Sequence, residues 1–116
     1  QLPKNVRRTV TLFRSGSLPL AIETGRYARP RTPVDERLCR LCNSNDVESE
    51  KHFLLFCPLY DDIRFELFAK ARTLIDSFDT LDMDSKFIEI MSCEDIQTSL
   101  SYAIFKSFQR RKLFST

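Results

Sequence analysis

Tryptophan is absent from this 116-residue sequence, glycine occurs only twice and histidine once. So little glycine, with 42% apolar residues and ten phenylalanines, describes an ordered, helix-leaning chain, which excludes a low-complexity or disordered segment. No apolar run approaches the roughly 20 residues of a membrane-spanning helix, so no membrane partner is expected. No signal-peptide pattern is present either, which points to an intracellular protein, nuclear and/or cytoplasmic. In that setting the four cysteines read as thiols or metal ligands, not as a disulfide frame. The chain opens on Gln1 and not on methionine, so a piece of a longer protein or a processed product is expected. There is no internal repeat. The length suits one domain, 1–116, whose modest core would profit from a metal staple.

What is present is unevenly placed charge. Residues 1–40 carry nine Lys/Arg against three Asp/Glu, residues 41–105 five against thirteen, and residues 106–116 four against none. Basic ends around an acidic middle suit a one-faced surface for nucleic acid or an acidic partner. The plainer alternative is that these charges cap helices and solvate faces.

Periodicity predicts a mainly α, small helical domain with an irregular lobe near its N-terminal half. Val6, Val10 and Phe13 stripe a first helix opened by Pro3 and ended by Ser15-Gly16-Ser17. Leu18–Glu23 reads as extended, and Arg26–Thr32 as an arginine-bearing loop that Pro30 and the following Pro33 keep out of helix. A tight turn or short hairpin is expected around Cys39 and Cys42, and a helix over Glu48–Phe56. From Leu59 an amphipathic stripe runs through Ile63, Leu67, Ala71 and Leu74, widened by Phe68 and Ile75. An acidic linker (76–84), a short helix through Phe87–Met91, a Ser92-x-x-Asp95 start signal and a last helix through Phe108 complete the helical support, 59–112. The basic end of that helix, Arg110-Arg111-Lys112, suits the helix dipole.

Cys39, Cys42, His52 and Cys57 form the pattern Cys-x2-Cys-x9-His-x4-Cys, which contains the chain's one histidine and three of its four cysteines. Two short-spaced pairs of thiolate and imidazole donors are how a tetrahedral structural zinc site is built, with bonds of about 2.0–2.3 Å. All four positions would come from protein, which leaves none open for water or substrate. One structural Zn2+ is therefore the expected cofactor, in a lobe spanning about 34–60. Ordinary buried thiols, a redox pair or disulfides are the competing readings. The redox pair lacks its βαβ setting. Cys93 stands apart as a core thiol. Leu59-Tyr60-Asp61-Asp62 only superficially matches the Tyr-x-Asp-Asp of polymerases, because the spacer is missing. Asp61 and Asp62 fit a helix start instead.

The flanks of the cluster add a resemblance. Leu20–Tyr27, Glu36–Cys42 and Val47–Tyr60, with its His52-Phe53-Leu54…Cys57-Pro58…Tyr60 run, are similar to the zinc-binding (CCHC) region that follows the polymerase in non-LTR retrotransposon reverse transcriptases. The match covers about residues 7–64. It implies zinc ligation by Cys39, Cys42, His52 and Cys57, and binding of RNA or DNA beside a polymerase domain in cis. The nine-residue spacer departs from the four of retroviral nucleocapsid knuckles, so their mode of binding single-stranded RNA is not implied. No polymerase or endonuclease motif, spare histidine, paired carboxylates or open metal position is present. The chain by itself is therefore expected to bind and not to catalyse.

Candidate phosphate contacts are Arg7, Arg8 and Arg14 on the first helix and Arg26, Arg29, Arg31, Arg37 and Arg40 around the lobe. Tyr27 either stacks on a base or packs on the lobe. The loop's alternative role is a solvated connector. Phe53, Leu54 and Phe56 are expected in the core. The alternative function is a protein-interaction module, host-captured in one version, using the acidic and aromatic helical face.

Overall fold

A computed structural model describes residues 2–114, and among these helix dominates and no strand forms. Helix α1, Lys4–Arg14, buries Val6 and Phe13, half-buries Val10, and leaves Arg7 and Arg8 in solvent. It stops because Gly16 turns left-handed (φ +74°), which lets the Ser17 amide reach back to the Leu12 carbonyl at 2.8 Å.

Leu18 and Leu20 alternate into the core with no exposed surface. The extended segment expected over Leu18–Glu23 ends there, because α2, Ala21–Thr24, is helical and runs into a 3-10 turn over Gly25–Tyr27. Glu48 supplies the reason. Its carboxylate accepts the Ala21 amide at 2.7 Å and so caps a turn that the local sequence does not.

The hairpin expected around Cys39 and Cys42 is reduced to one antiparallel bridge between Leu38 and Val47. The next segment is helical from Glu50, and His52–Phe56 makes a single π turn closed by the Cys57 amide on the His52 carbonyl at 2.9 Å. Phe53, Leu54 and Leu55 are buried, whereas Phe56, expected in the core, is 41% exposed. The wider turn rotates its side chain outward.

Pro58 opens a 3-10 turn that leads into α3, Asp61–Leu74, with Leu67 and Ala71 buried and Leu74 at the rim. The acidic linker holds a 3-10 turn whose Phe78 is buried, and Asp82 caps α4, Met83–Ser92, by accepting the Ser85 amide. Ser92 does not start a helix. Its hydroxyl donates back to the Ile88 carbonyl at 2.7 Å, and the chain turns again at Glu94–Ile96. Cys93 is only half-buried. Helix α5, Gln97–Phe114, then lies against α1 and α3 and closes one continuous core. Among the described residues no helix is long and apolar enough to cross a membrane.

Candidate metal centre and its surroundings

Two different local structures deliver the four donors. Cys39 and Cys42 sit on a knuckle held by backbone bonds. The Cys39 amide donates to the Asp46 carbonyl at 2.8 Å, and the Glu48 amide to the Arg37 carbonyl at 2.9 Å. Asn45 makes the return with φ +61°, a conformation asparagine tolerates. His52 and Cys57 flank the π turn instead, beneath α3. There the buried Arg64 gathers the end of the turn. Its Nε donates to the Leu54 carbonyl at 2.8 Å and its Nη2 to the Cys57 carbonyl at 2.9 Å, while Nη1 meets Asp61 at 2.7 Å. One side chain thereby satisfies carbonyls that the end of a helical turn leaves open.

The donor atoms of Cys39, Cys42, His52 and Cys57 all lie within 4.8 Å of one another, and all four cysteines are free thiols. Cys39 Sγ is 4.0 Å from Cys57 Sγ, and Cys42 Sγ is 3.5 Å from His52 Nε2. A tetrahedron with metal–donor bonds of about 2.0–2.3 Å has edges of roughly 3.5–3.8 Å, so these spacings suit one shared ion. Sulfur–sulfur bonds, at about 2.05 Å, are not in place.

The electrostatics of the four donors differ. Burial pushes the Cys39 thiol up to about 12, against the pull of the Leu41 amide, and raises Cys57 in the same way. At Cys42 burial is outweighed by the Ser44 hydroxyl, 3.1 Å from the sulfur, and the Ser44 amide, so that thiol ionises more readily than usual. Burial lowers His52, against Asp46 and Glu48, and keeps its imidazole neutral and able to ligate at neutral pH. A cation bound here would have to displace protons that the two buried thiols hold firmly. His52 Nδ1 is buried without a hydrogen bond and lies 3.8 Å from the Asp46 carboxylate, the usual kind of partner for a ligating histidine. The buried Tyr60 hydroxyl is also unpaired. Its ring packs edge-on to Phe53 at 4.9 Å, and burial pushes the phenol above its ordinary value, so it stays a donor.

Glu48, 2% exposed, ties the knuckle to the last helix. Besides capping α2 it takes a two-pronged bond from Arg111, at 2.6 and 2.7 Å. Arg110 donates to the Leu59 carbonyl at 3.0 Å and to Asp62 at 3.0 Å. These two arginines, expected to complement a dipole, also brace α5, Arg111 against the lobe and Arg110 against Leu59 and the start of α3. Glu48, Arg64 and Asp46 went unmarked in the sequence, and Arg111 was read only for its dipole, because their roles depend on partners that only folding supplies.

The candidate nucleic-acid contacts divide. Arg7, Arg8, Arg29, Arg31 and Arg40 are exposed. Arg26 is exposed but paired with Glu23 at 3.2 Å and stacked 5.7 Å over Tyr27. Tyr27 itself is 70% exposed and does not pack on the lobe. Arg14 is bonded to the Gln97 side chain and reaches the Met91 carbonyl. Arg37, expected as a surface contact, is buried. Its Nε and Nη1 donate to the Thr32 and Ile22 carbonyls at 2.9 and 2.8 Å, which pins the arginine-bearing loop to the knuckle. The loop is fixed at its ends through Gly25 and Thr32, while residues 26–31 stay exposed to solvent. Comparison of the chain with protein-family models, with curated proteins and with solved structures gives no match in any of the three.

Proposed function

We propose that this chain is a nucleic-acid-binding module built on one structural zinc ion, of the kind that follows the polymerase in non-LTR reverse transcriptases, and not an enzyme in itself. The observation that supports the reading is an all-protein Cys3His donor set whose knuckle is fastened, through Arg37, to a loop displaying Arg26, Tyr27, Arg29 and Arg31. When bound, zinc holds the two halves of the lobe together and supplies no reacting group. Arginines on the loop meet phosphates and Tyr27 offers a ring on which a base can stack. The resemblance over residues 7–64 supplies the reverse-transcriptase setting, with RNA or DNA as partner.

The test is binding of labelled RNA and DNA oligonucleotides to the zinc-loaded chain at rising salt. Affinity is expected to fall with a log–log slope of about −0.7 to −0.9 for each phosphate contacted, and Cys42→Ser should lose the metal and the binding together. No affinity at low salt ends this reading. A second reading, a protein-interaction module, draws on exposed Phe65, Ile88, Leu113 and Phe114, 62–77% accessible, and on an apolar cleft floored by Phe13, Phe87, Ile88 and Met91. Binding to a protein partner through those residues would barely respond to salt.

A further inference from the structure

Arg37 is a buried cation for which no carboxylate lies within ion-pairing distance among the described residues. Two of its three nitrogens are spent on carbonyls, and among the described residues no group accepts from Nη2, which is not fully buried. A largely buried charge without a counter-charge is costly, so an anion at the open nitrogen would stabilise it. The side chain lines a surface cleft of about 320 Å³, together with Arg26 and Arg31 and with Glu23, Glu50, Ile22 and Gly16. Arg31 is exposed and makes no side-chain bond among the described residues. Glu23 is already matched by Arg26, which leaves Arg31 and Arg37 facing the single carboxylate of Glu50. The cleft is therefore short of one negative charge, the charge of one phosphodiester.

The seat is also shaped. A Cβ on Gly25 would stand 2.5–2.8 Å from Cγ, Cδ and Nε of Arg37. Only glycine lets that side chain lie flat on the backbone and hold its guanidinium fixed at the cleft. A fixed, planar fork suits phosphate oxygens better than a freely swinging lysine.

We propose that this cleft is a seat for a phosphate group, with Arg37 Nη2 and Arg31 as its ligands, Arg26 at the rim, and a nucleic-acid backbone as the source. The source rests on the reading given above, and the place of the seat rests on the geometry alone.

Two measurements on the metal-loaded chain test this. In the first, inorganic phosphate is titrated while the arginine Nε–H and backbone amide resonances are followed by NMR. Saturable shifts are expected at Gly25–Arg37 and Glu50. Arg31→Gln should weaken binding at least threefold, Glu50→Gln should tighten it by about threefold, and Lys70→Gln on α3 should leave it unchanged. A gain in Glu50→Gln cannot come from misfolding. Shifts spread evenly over all basic residues, or unaffected by both cleft variants, overturn the seat. In the second, the salt slope for a single-stranded oligonucleotide should shrink by about 0.7 in Arg31→Gln. An unchanged slope with binding retained overturns the seat and leaves the nucleic-acid reading standing. Phosphate binding without oligonucleotide binding does the reverse, keeping the seat and removing its assigned source.

Discussion

The two halves of the metal centre are built on opposite principles. Cys39 and Cys42 ride on a knuckle whose residues 43–46 are all exposed and which is kept in shape by a single bridge and a few polar bonds. His52 and Cys57 bracket Phe53, Leu54 and Leu55, which belong to the main core, and their turn is gripped by Arg64 from α3. The second half is shaped by burial and would persist without a metal. The first half packs only Cys39, Leu41 and Cys42 against the core and exposes residues 43–46, so its order is expected to lean on a bound ion and on Glu48. A metal in such a site does unequal structural work on its two sides, and the contrast can be tested at several strengths.

Metal removal should have the largest effect. Structural zinc sites contribute on the order of 10 kcal/mol, comparable to the whole stability of a small domain. Chelation, or Cys57→Ser, is expected to abolish hydrogen-exchange protection at the Cys39 and Glu48 amides first, while amides within α3 and α5 outlast them. Simultaneous loss everywhere would show that the halves are not distinct. Next, Arg111→Ala leaves the Glu48 carboxylate buried and unpaired at roughly 3–5 kcal/mol. The loss should appear in denaturant melts and should concentrate in the knuckle, with Glu48→Gln in the same chain recovering part of it.

Arg64→Met strikes the other half. Loss of charged hydrogen bonds to the Leu54 and Cys57 carbonyls is expected to cost about 2–4 kcal/mol and to loosen the π turn. Asp61→Ala, which removes only its exposed partner, should cost under about 1 kcal/mol. Equal costs for these two substitutions would deny Arg64 its role on the carbonyls.

The smallest effect concerns acid. The bond from Arg110 holds the Asp62 carboxyl well below its ordinary 3.8, at about 2. A carboxyl depressed in the folded state stabilises above its unfolded pKa, and that contribution fades as pH falls from 3.8 through 2. Thermal melts of the native chain should therefore drop more steeply over that interval than those of Asp62→Asn. Parallel curves would mean that the strut between α3 and α5 adds nothing.

Legibility in the sequence followed how far apart partners lie along the chain. The four candidate ligands fall in 19 consecutive positions, and their chemistry is rare enough to stand out. The stripes of α1 and α3 repeat every turn and were equally readable. Ala21–Thr24 was not, because its capping carboxylate, Glu48, is 27 residues away. Arg37 carried the same letter as its exposed neighbours, and nothing local marked it as the one whose nitrogens would be used indoors. Ser92 showed a start signal that the folded chain spends on the end of the preceding helix.

The grip of Arg111 on Glu48 has a consequence in time as well as in space. Arg111 is added 63 residues after its partner, which at about 5–20 residues per second is a delay of roughly 3–12 s during synthesis. Cys57, the last of the four candidate donors, follows Glu48 by only nine residues. A nascent chain can therefore close its ring around a cation while the carboxylate that will later fasten the ring is still unclaimed, and the final helix arrives as a latch on a lobe already assembled.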